Sequence, residues 1–291
     1  MPPSGVAAAV VTRDGATWIR QVLESILAQS HPVDHVVVVD DGSRDDTCGI
    51  IEREFASRVR LVRSADVRPA DSRRSLYTRI AANFTQAVIE CDSLNVEFVA
   101  LADQDDVWHP DRIAHQRASI GSATMLASDG TLVDEAGHSR GGTLRSIFPV
   151  PAGFDAATPA QRMRWALRHS LATGSASLVR PFPLLAANAL MVPPGWLHDR
   201  WWSLVTCAMD SFRVDEAAVI DYQVRADQVV GLDAGLQQTS STGRLLGHGR
   251  DLGSSIARLS DLHARLLPLA RDRSIRSELS WLRMTRTLLH G

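Results

Sequence analysis

Five aspartates stand in two short runs whose spacing could do chemistry. Asp40 and Asp41 follow four consecutive valines, Val36 to Val39. Asp103, Asp105 and Asp106 follow the apolar run Val96 to Leu101. Carboxylates this close repel one another unless something offsets the charge. A hard divalent cation does so, since Mg2+ or Mn2+ prefers carboxylate oxygens and keeps positions open for phosphate. The competing reading is a solvated acidic turn plus a helix cap, with Asp106 or Asp111 capping a helix near Pro110. The apolar strand before each run favours ligand binding, because open parallel sheets bind ligands beyond the carboxyl ends of their strands.

The elements that must position these acids alternate in type. Val6 to Val11 reads as a strand buried on both faces. Ile19, Val22, Leu23, Ile26 and Leu27 follow helical spacing. Val36 to Val39 is a β-branched core strand, and Ser43 with Asp46 reads as a capping box starting a helix. Val59 to Val62 is a third strand. Leu76, Ile80, Phe84, Val88 and Ile89 give a second amphipathic helix before the fourth strand, Val96 to Leu101. This alternation predicts an α/β fold with a doubly wound, mostly parallel sheet flanked by helices. Asp129-Gly130 reads as a turn between Met125 to Ser128 and Thr131 to Val133. Gly141 to Pro159 reads as a loop, Gln161 to His169 as a helix and Ala176 to Val179 as a strand. Trp196 to Cys207 reads as a helix and Ala218 to Tyr222 as a strand. Beyond about residue 235, Ile256, Leu259, Leu262 and Leu266, then Ile275, Leu279 and Leu282, are spaced as two Arg-bearing amphipathic helices. The domains expected are 1–235 and a helical extension, 236–291.

Composition narrows the classes. The chain has 291 residues, 45% hydrophobic, with a formal charge of −2 and no lysine at all. That balance excludes a general nucleic-acid binder and a disordered chain. No run of about 18 apolar residues is present to span a bilayer. Without lysine there is no Schiff-base or P-loop amine, so acid–base work falls to Asp, Glu, His, Cys or Tyr. Cys48, Cys91 and Cys207 are scattered, odd in number and without zinc-ligand spacing. With a start, Met1-Pro2-Pro3-Ser4, that lacks a signal-peptide pattern, this predicts a reduced, cytoplasmic setting.

Val37-Val38-Val39-Asp40-Asp41-Gly42-Ser43-Arg44-Asp45-Asp46-Thr47 resembles the nucleotide-binding signature of family 2 glycosyltransferases, which have the GT-A fold. Ala102-Asp103-Gln104-Asp105-Asp106-Val107-Trp108 is similar to their metal and diphosphate motif, in the form found in the rhamnosyltransferase-like branch. Ser128-Asp129 through Asp134 to Gly137, Ala172-Thr173-Gly174-Ser175, His198-Asp199-Arg200-Trp201-Trp202 and Tyr222 to Gly231 resemble further segments, in the family's order. The resemblance spans about residues 5 to 232.

The resemblance implies an inverting, hexosyl-type transferase with a nucleotide-diphosphate sugar, UDP- or dTDP-linked, as donor. It places Thr12, Asp40 and Asp41 around the base and ribose. It gives Asp103 and Asp105 a divalent cation, Mn2+ or Mg2+, bridging the donor phosphates, with Asp103 also on the diphosphate. It makes Asp199 the general base, with Asp106, Trp108, Thr173, Gly174, His198 and Trp201 on the acceptor and sugar side. The bland reading of Asp199 is the cap of a helix near Trp201, and that of the tryptophans is core. The implied acceptor is a glycan, a lipid-linked saccharide or a glycosylated small molecule, in bacterial polysaccharide or cell-wall biosynthesis. Nucleic acid is not an expected partner. The tail helices suit peripheral contact with the inner face of the plasma membrane, a homo-oligomer, or packing on the domain's own core.

Three departures from the family pattern bear on this. Arg13 replaces an aromatic in Thr12-Arg13-Asp14-Gly15, where it can stack on a base or meet phosphate. Arg225 stands where the family has a metal-binding His. Either the metal has one protein ligand fewer, or Arg225 contacts the diphosphate directly. Arg68, Arg73, Arg74 and Arg79 occupy what is otherwise a short turn, as phosphate ligands or as a solvated loop. These changes motivate the alternative of a non-catalytic or partner-dependent sugar-nucleotide-binding protein.

Overall fold

The first strand, β1 (Val6–Thr12), is covered on both faces, which is why its sequence is an unbroken apolar run. It pairs in parallel with β2 (His35–Asp40) on one side and β4 (Phe98–Asp103) on the other. β3 (Arg60–Arg63) adds in parallel beyond β2. The winding direction reverses between β1 and β4. In register, Thr12 lies beside Asp40 and Val11 beside Asp103. The ends of three adjacent strands therefore bring both acidic runs to one edge, at the switch point where a ligand crevice opens. The computed structural model that shows this describes residues 2–64, 72–225 and 252–289.

Helices α1 (Ile19–Leu27), α2 (Thr47–Glu54) and α3 (Arg73–Asp92) cover this half of the sheet. The capping box expected at Ser43 and Asp46 does not form, and α2 starts at Thr47 with no side-chain cap from Asp46. Ser43 Oγ instead accepts from the Asp14 amide at 2.9 Å. A tether between the loops after β1 and β2 has displaced the local cap.

The second half adds β5 (Val107–Trp108), α4 (Arg112–Ile120), β6 (Met125–Val133), β7 (Ser139–Thr143) and α5 (Leu144–Ile147). Then follow α6 (Pro159–Arg168), β8 (Ser177–Val179), α7 (Pro181–Ala186), α8 (His198–Ala208) and β9 (Phe212–Gln223). The sheet order is β3-β2-β1-β4-β8-β6-β9-β5, with β7 on β6. The long ladders of the sheet are parallel, and short antiparallel ones join them. β8 runs antiparallel to β4 and β6, and β5 antiparallel to β9. Asp129 and Gly130 do not turn a hairpin but lie inside β6. Buried Asp129 accepts from the Gly130 and Arg145 amides, at 2.8 and 3.1 Å, while the pairing with β9 shifts register there. Gly130 serves close approach, since a Cβ would meet Ile220 at 2.8 Å and Leu144 at 2.9 Å. The expected loop from Gly141 to Pro159 carries the end of β7, all of α5 and a short 3-10 turn at Phe154–Ala156.

Among the described residues the tail forms the α-helices Leu252–Leu266, Arg273–Glu278 and Trp281–Leu289. Leu259, Leu262, Leu266, Ile275 and Leu279 join the same buried cluster as Val39, Leu101 and Trp202. Buried Glu278 pairs with Arg164 of α6 at 2.8 Å and with Arg283 at 2.9 Å. Of the three readings of the tail, packing on the domain's own core is the one these contacts carry. Leu282 is not on the buried stripe but 86% exposed; the helix stops at Glu278 and restarts at Trp281, which resets the phase and buries Met284 instead. Among the described residues no helix is long and apolar enough to cross a membrane. Arg68, the closing segment beyond Arg225 and the 235/236 boundary lie outside the described residues, as does the side chain of Ile256.

A shared core predicts that Leu279→Ala costs about 2–5 kcal/mol. Urea unfolding should show one transition with a lower midpoint. A minor step with the main midpoint unmoved would mean that the tail is an independent appendage.

Candidate active site

One end of the site is built on the turns after β1 and β2. Thr12 Oγ1 donates to Gln104 Oε1 at 2.8 Å, and the Arg13 amide donates to the same oxygen at 2.6 Å. Gln104 thus ties the switch-point strands together, and the Thr12 hydroxyl is used in that tie. Gly15 makes the approach feasible, since a Cβ there would sit 2.6 Å from Thr12 Oγ1 and 2.7 Å from Gln104 Oε1. Asp40, 1% exposed, accepts from the Gly42 and Ser43 amides and holds the turn that Gly42 completes at φ +75°. Asp41 is flanked by Arg79 Nε at 3.0 Å and Arg13 Nη1 at 3.4 Å. Its Oδ1 is buried without a hydrogen-bond partner among the described residues. Arg79 is therefore a buried partner of Asp41, not part of a solvated loop. Arg13 also donates to the Asp41 carbonyl at 2.9 Å.

The acidic run turns from β4 into β5. Asp103 is pushed up to about 7 by burial first, then by Asp105 and Asp199. Asp105 Oδ2 lies 2.6 Å from Arg225 Nη1. Arg225 lies over the Trp18 ring, 4.0 Å from its centroid. Asp106 is fully buried and accepts from the Gln223 amide at 3.1 Å. Burial, then Asp105 and Asp103, hold its carboxyl well above the usual range, against the bond from the Gln223 amide. Tyr222 sits among Asp106, Asp103, Asp105 and Asp199; burial first and then these four carboxylates raise its phenol. Beneath them Arg112, 1% exposed, donates to Gln116 Oε1 at 3.1 Å and to the Leu101 carbonyl at 3.0 Å. Its guanidinium lies over the Trp108 ring, 3.9 Å from the centroid. Trp108 is thus part of the core under the site, not of a wall facing a sugar.

The other end is built on α8 and the segment before β8. Asp199 lies in the first turn of α8, which begins at His198 rather than near Trp201. Its Oδ2 accepts from the Gly174 amide at 3.1 Å and its Oδ1 from the Arg200 amide at 2.6 Å. Burial nevertheless pushes its carboxyl up to about 6. His198 stacks on Phe84 with centroids 3.8 Å apart, and burial pushes it down to about 3, so it is neutral. Gly174 is needed because a Cβ would reach His198 Nε2 at 2.6 Å. Thr173 precedes this turn and accepts at its carbonyl from Ser177 Oγ at 2.8 Å. Trp201 and Trp202 are both core; Trp201 Nε1 donates to the Ala189 carbonyl at 2.8 Å. Cys48, Cys91 and Cys207 are free and buried.

The two acids expected to share a cation are therefore not equivalent, because Asp105 is paired with Arg225. Among the described residues no three His, Cys, Asp or Glu side chains group as metal ligands. Asp103, crowded by like charge, is an acid that could hold a cation here. Trp18 and Arg112 carry no signal in sequence spacing. They reach the site only through tertiary packing.

A family model described as "Glycosyltransferase like family 2" matches residues 2–180. The chain is 27% identical over 104 residues to the dTDP-rhamnosyl transferase RfbG of Shigella flexneri, covering 36% of this chain and 34% of that protein. It is 23% identical over 224 residues to the uncharacterized glycosyltransferase RC0461 of Rickettsia conorii, covering 74% of this chain and 33% of that one. The matches thus span about a third of each relative's length. Among solved structures, S. aureus TarS 1–349 in complex with UDP-GlcNAc matches with a TM-score of 0.55 at 14% identity, over 98% of this chain and 89% of that one. A mannosyltransferase from Pyrobaculum calidifontis, in complex with GDP-Man and Mn2+, matches with a TM-score of 0.51 at 17% identity, over 99% and 86%. The fold is GT-A.

A carboxyl raised on folding costs stability when it ionises. The folded protein holds the Asp199 proton more tightly than the unfolded chain does. The site's contribution is present below 3.8 and is lost as pH rises through about 6. Asp199→Asn should therefore gain stability relative to wild type between about pH 4 and about pH 7, by at most about 3 kcal/mol. Urea unfolding at both pH values measures this, and a difference independent of pH would rule out the raised carboxyl.

Proposed function

The chain belongs to glycosyltransferase-like family 2, and from that premise we propose that it is an inverting transferase acting on a nucleoside-diphosphate sugar. The donor is UDP- or dTDP-linked. The acceptor is a hydroxyl of a glycan, a lipid-linked saccharide or a glycosylated small molecule. The observation that carries this reading is Asp199: a carboxylate raised to about 6 and oriented by two backbone amides, close enough to Asp103 for the two charges to interact. A base whose pKa approaches the working pH is ionised in use and still basic enough to take a proton.

Asp199 takes the proton of the acceptor hydroxyl as its oxygen attacks the anomeric carbon. The nucleoside diphosphate departs on the opposite face, so the configuration inverts. Neutral His198 stacks behind Asp199's turn and adds no competing charge. At the donor end, the partnerless Asp41 Oδ1 suits an N–H of a pyrimidine base. Asp103 is the residue left to hold a divalent cation, Mn2+ or Mg2+; such an ion, when bound, stabilises the departing diphosphate.

Asp199→Asn is expected to keep nucleotide binding while transfer falls by about 10²–10⁴-fold. In the wild type, transfer should rise with pH through about 6 and then level off. Measured transfer in the Asn variant within a factor of a few of wild type would remove Asp199 as the base.

A further inference from the structure

The acidic run already contains its own cation. Arg225 Nη1 lies 2.6 Å from Asp105 Oδ2, and each of the two side chains is only 9% exposed. The same guanidinium lies over Trp18, 4.0 Å from the ring centroid. A guanidinium keeps its charge at every pH a cell meets, so Asp105 faces a fixed positive charge before any ligand enters. Seating a metal on Asp105 would mean breaking a buried ion pair and leaving Arg225 facing a second positive charge. Nor do three His, Cys, Asp or Glu side chains group as metal ligands among the described residues.

We propose that Arg225, clamped between Asp105 and Trp18, is the resident cation of the diphosphate site, so that nucleoside-diphosphate binding does not require a divalent metal. This rests on reading the cleft as a nucleoside-diphosphate site. The chemistry suits it. The planar fork of a guanidinium meets two oxygens of a phosphate with charge-assisted hydrogen bonds. Trp18 holds the plane of that fork by a cation–π contact. Asp105 keeps the group in place between turnovers, and Asp103 keeps room for an ion that adds to binding without being essential to it.

The test uses the whole chain, with UDP and dTDP as probes, titrated calorimetrically in EDTA and in Mn2+. Free Mn2+ binding without nucleotide is read separately by electron paramagnetic resonance. The wild type should bind in EDTA, with Mn2+ tightening the affinity by less than about threefold. Arg225→Met should weaken binding in EDTA by about tenfold or more, from the loss of charge-assisted hydrogen bonds. The same variant should bind free Mn2+ about tenfold more tightly, because the Arg225 charge no longer offsets Asp105. Arg225→Lys keeps the charge without the fork and should fall between the two in EDTA. Nucleotide binding that disappears in EDTA and returns with Mn2+ equally in wild type and Arg225→Met would overturn the proposal and leave the donor reading standing. No binding of either nucleotide to wild type in any condition would overturn the donor reading and this proposal with it.

Discussion

Four carboxylates meet around one buried phenol. Asp103, Asp105, Asp106 and Asp199 all act on Tyr222, and Asp103 feels both Asp105 and Asp199. Like charges packed this closely in a low-dielectric place would separate if the backbone allowed it. Much of the surrounding architecture can be understood as what prevents that. Arg225 offsets Asp105 from the cleft side. Arg112 faces Asp106 from the core, where burial lowers the guanidinium to about 9 and Asp106 works the other way. The Gln223 amide binds Asp106, and two backbone amides bind Asp199 at the positive end of α8. Even so, burial outweighs these bonds, and Asp103, Asp106 and Asp199 remain raised. The tension that remains is available to cationic or proton-transfer chemistry.

Holding that cluster takes strands far apart in sequence. β9 delivers Tyr222 and Gln223 to the acids at the end of β4, because it pairs with β5 just beyond them. Arg112 and Gln116 of α4 join several strand ends from below. Arg112 reaches the Leu101 and Ser177 carbonyls, and Gln116 reaches Ser128 Oγ and the Ala176 carbonyl. At the end that carries Asp199, α8 is fixed by Trp201 and Trp202, which are core, and by the tail helices that pack against the same cluster. The tail therefore packs against the helix that carries Asp199.

Local patterns were legible where one physical cause dominates. The buried strands β1, β2 and β4 announce themselves as apolar runs, since both faces are covered. The acids after them mark the switch point for the same reason. Readings failed where a distant contact outbid a local one. Ser43 serves the Asp14 amide instead of capping α2. Asp129 and Gly130 run straight through β6 because Arg145, Ile220 and Leu144 close around them. Trp108 reads as a sugar-facing aromatic, yet a buried arginine lies over it.

Residue pattern along the chain sets the α/β alternation, the two acidic strand ends and the order of the motifs from Thr12 to Arg225. Those follow from burial on each element and from residue types at fixed spacing, which are local properties. Tertiary structure alone decided the charge state and partnership of each acid. Whether Asp105 is a ligand or a counter-ion depends on Arg225, 120 positions away in the numbering, and on Trp18 beneath it. Whether Asp199 is an ordinary helix-end carboxylate or one raised to about 6 depends on how completely its surroundings exclude water. Desolvation and Coulomb energy are set by distance and burial in space, and no linear pattern of residues encodes either.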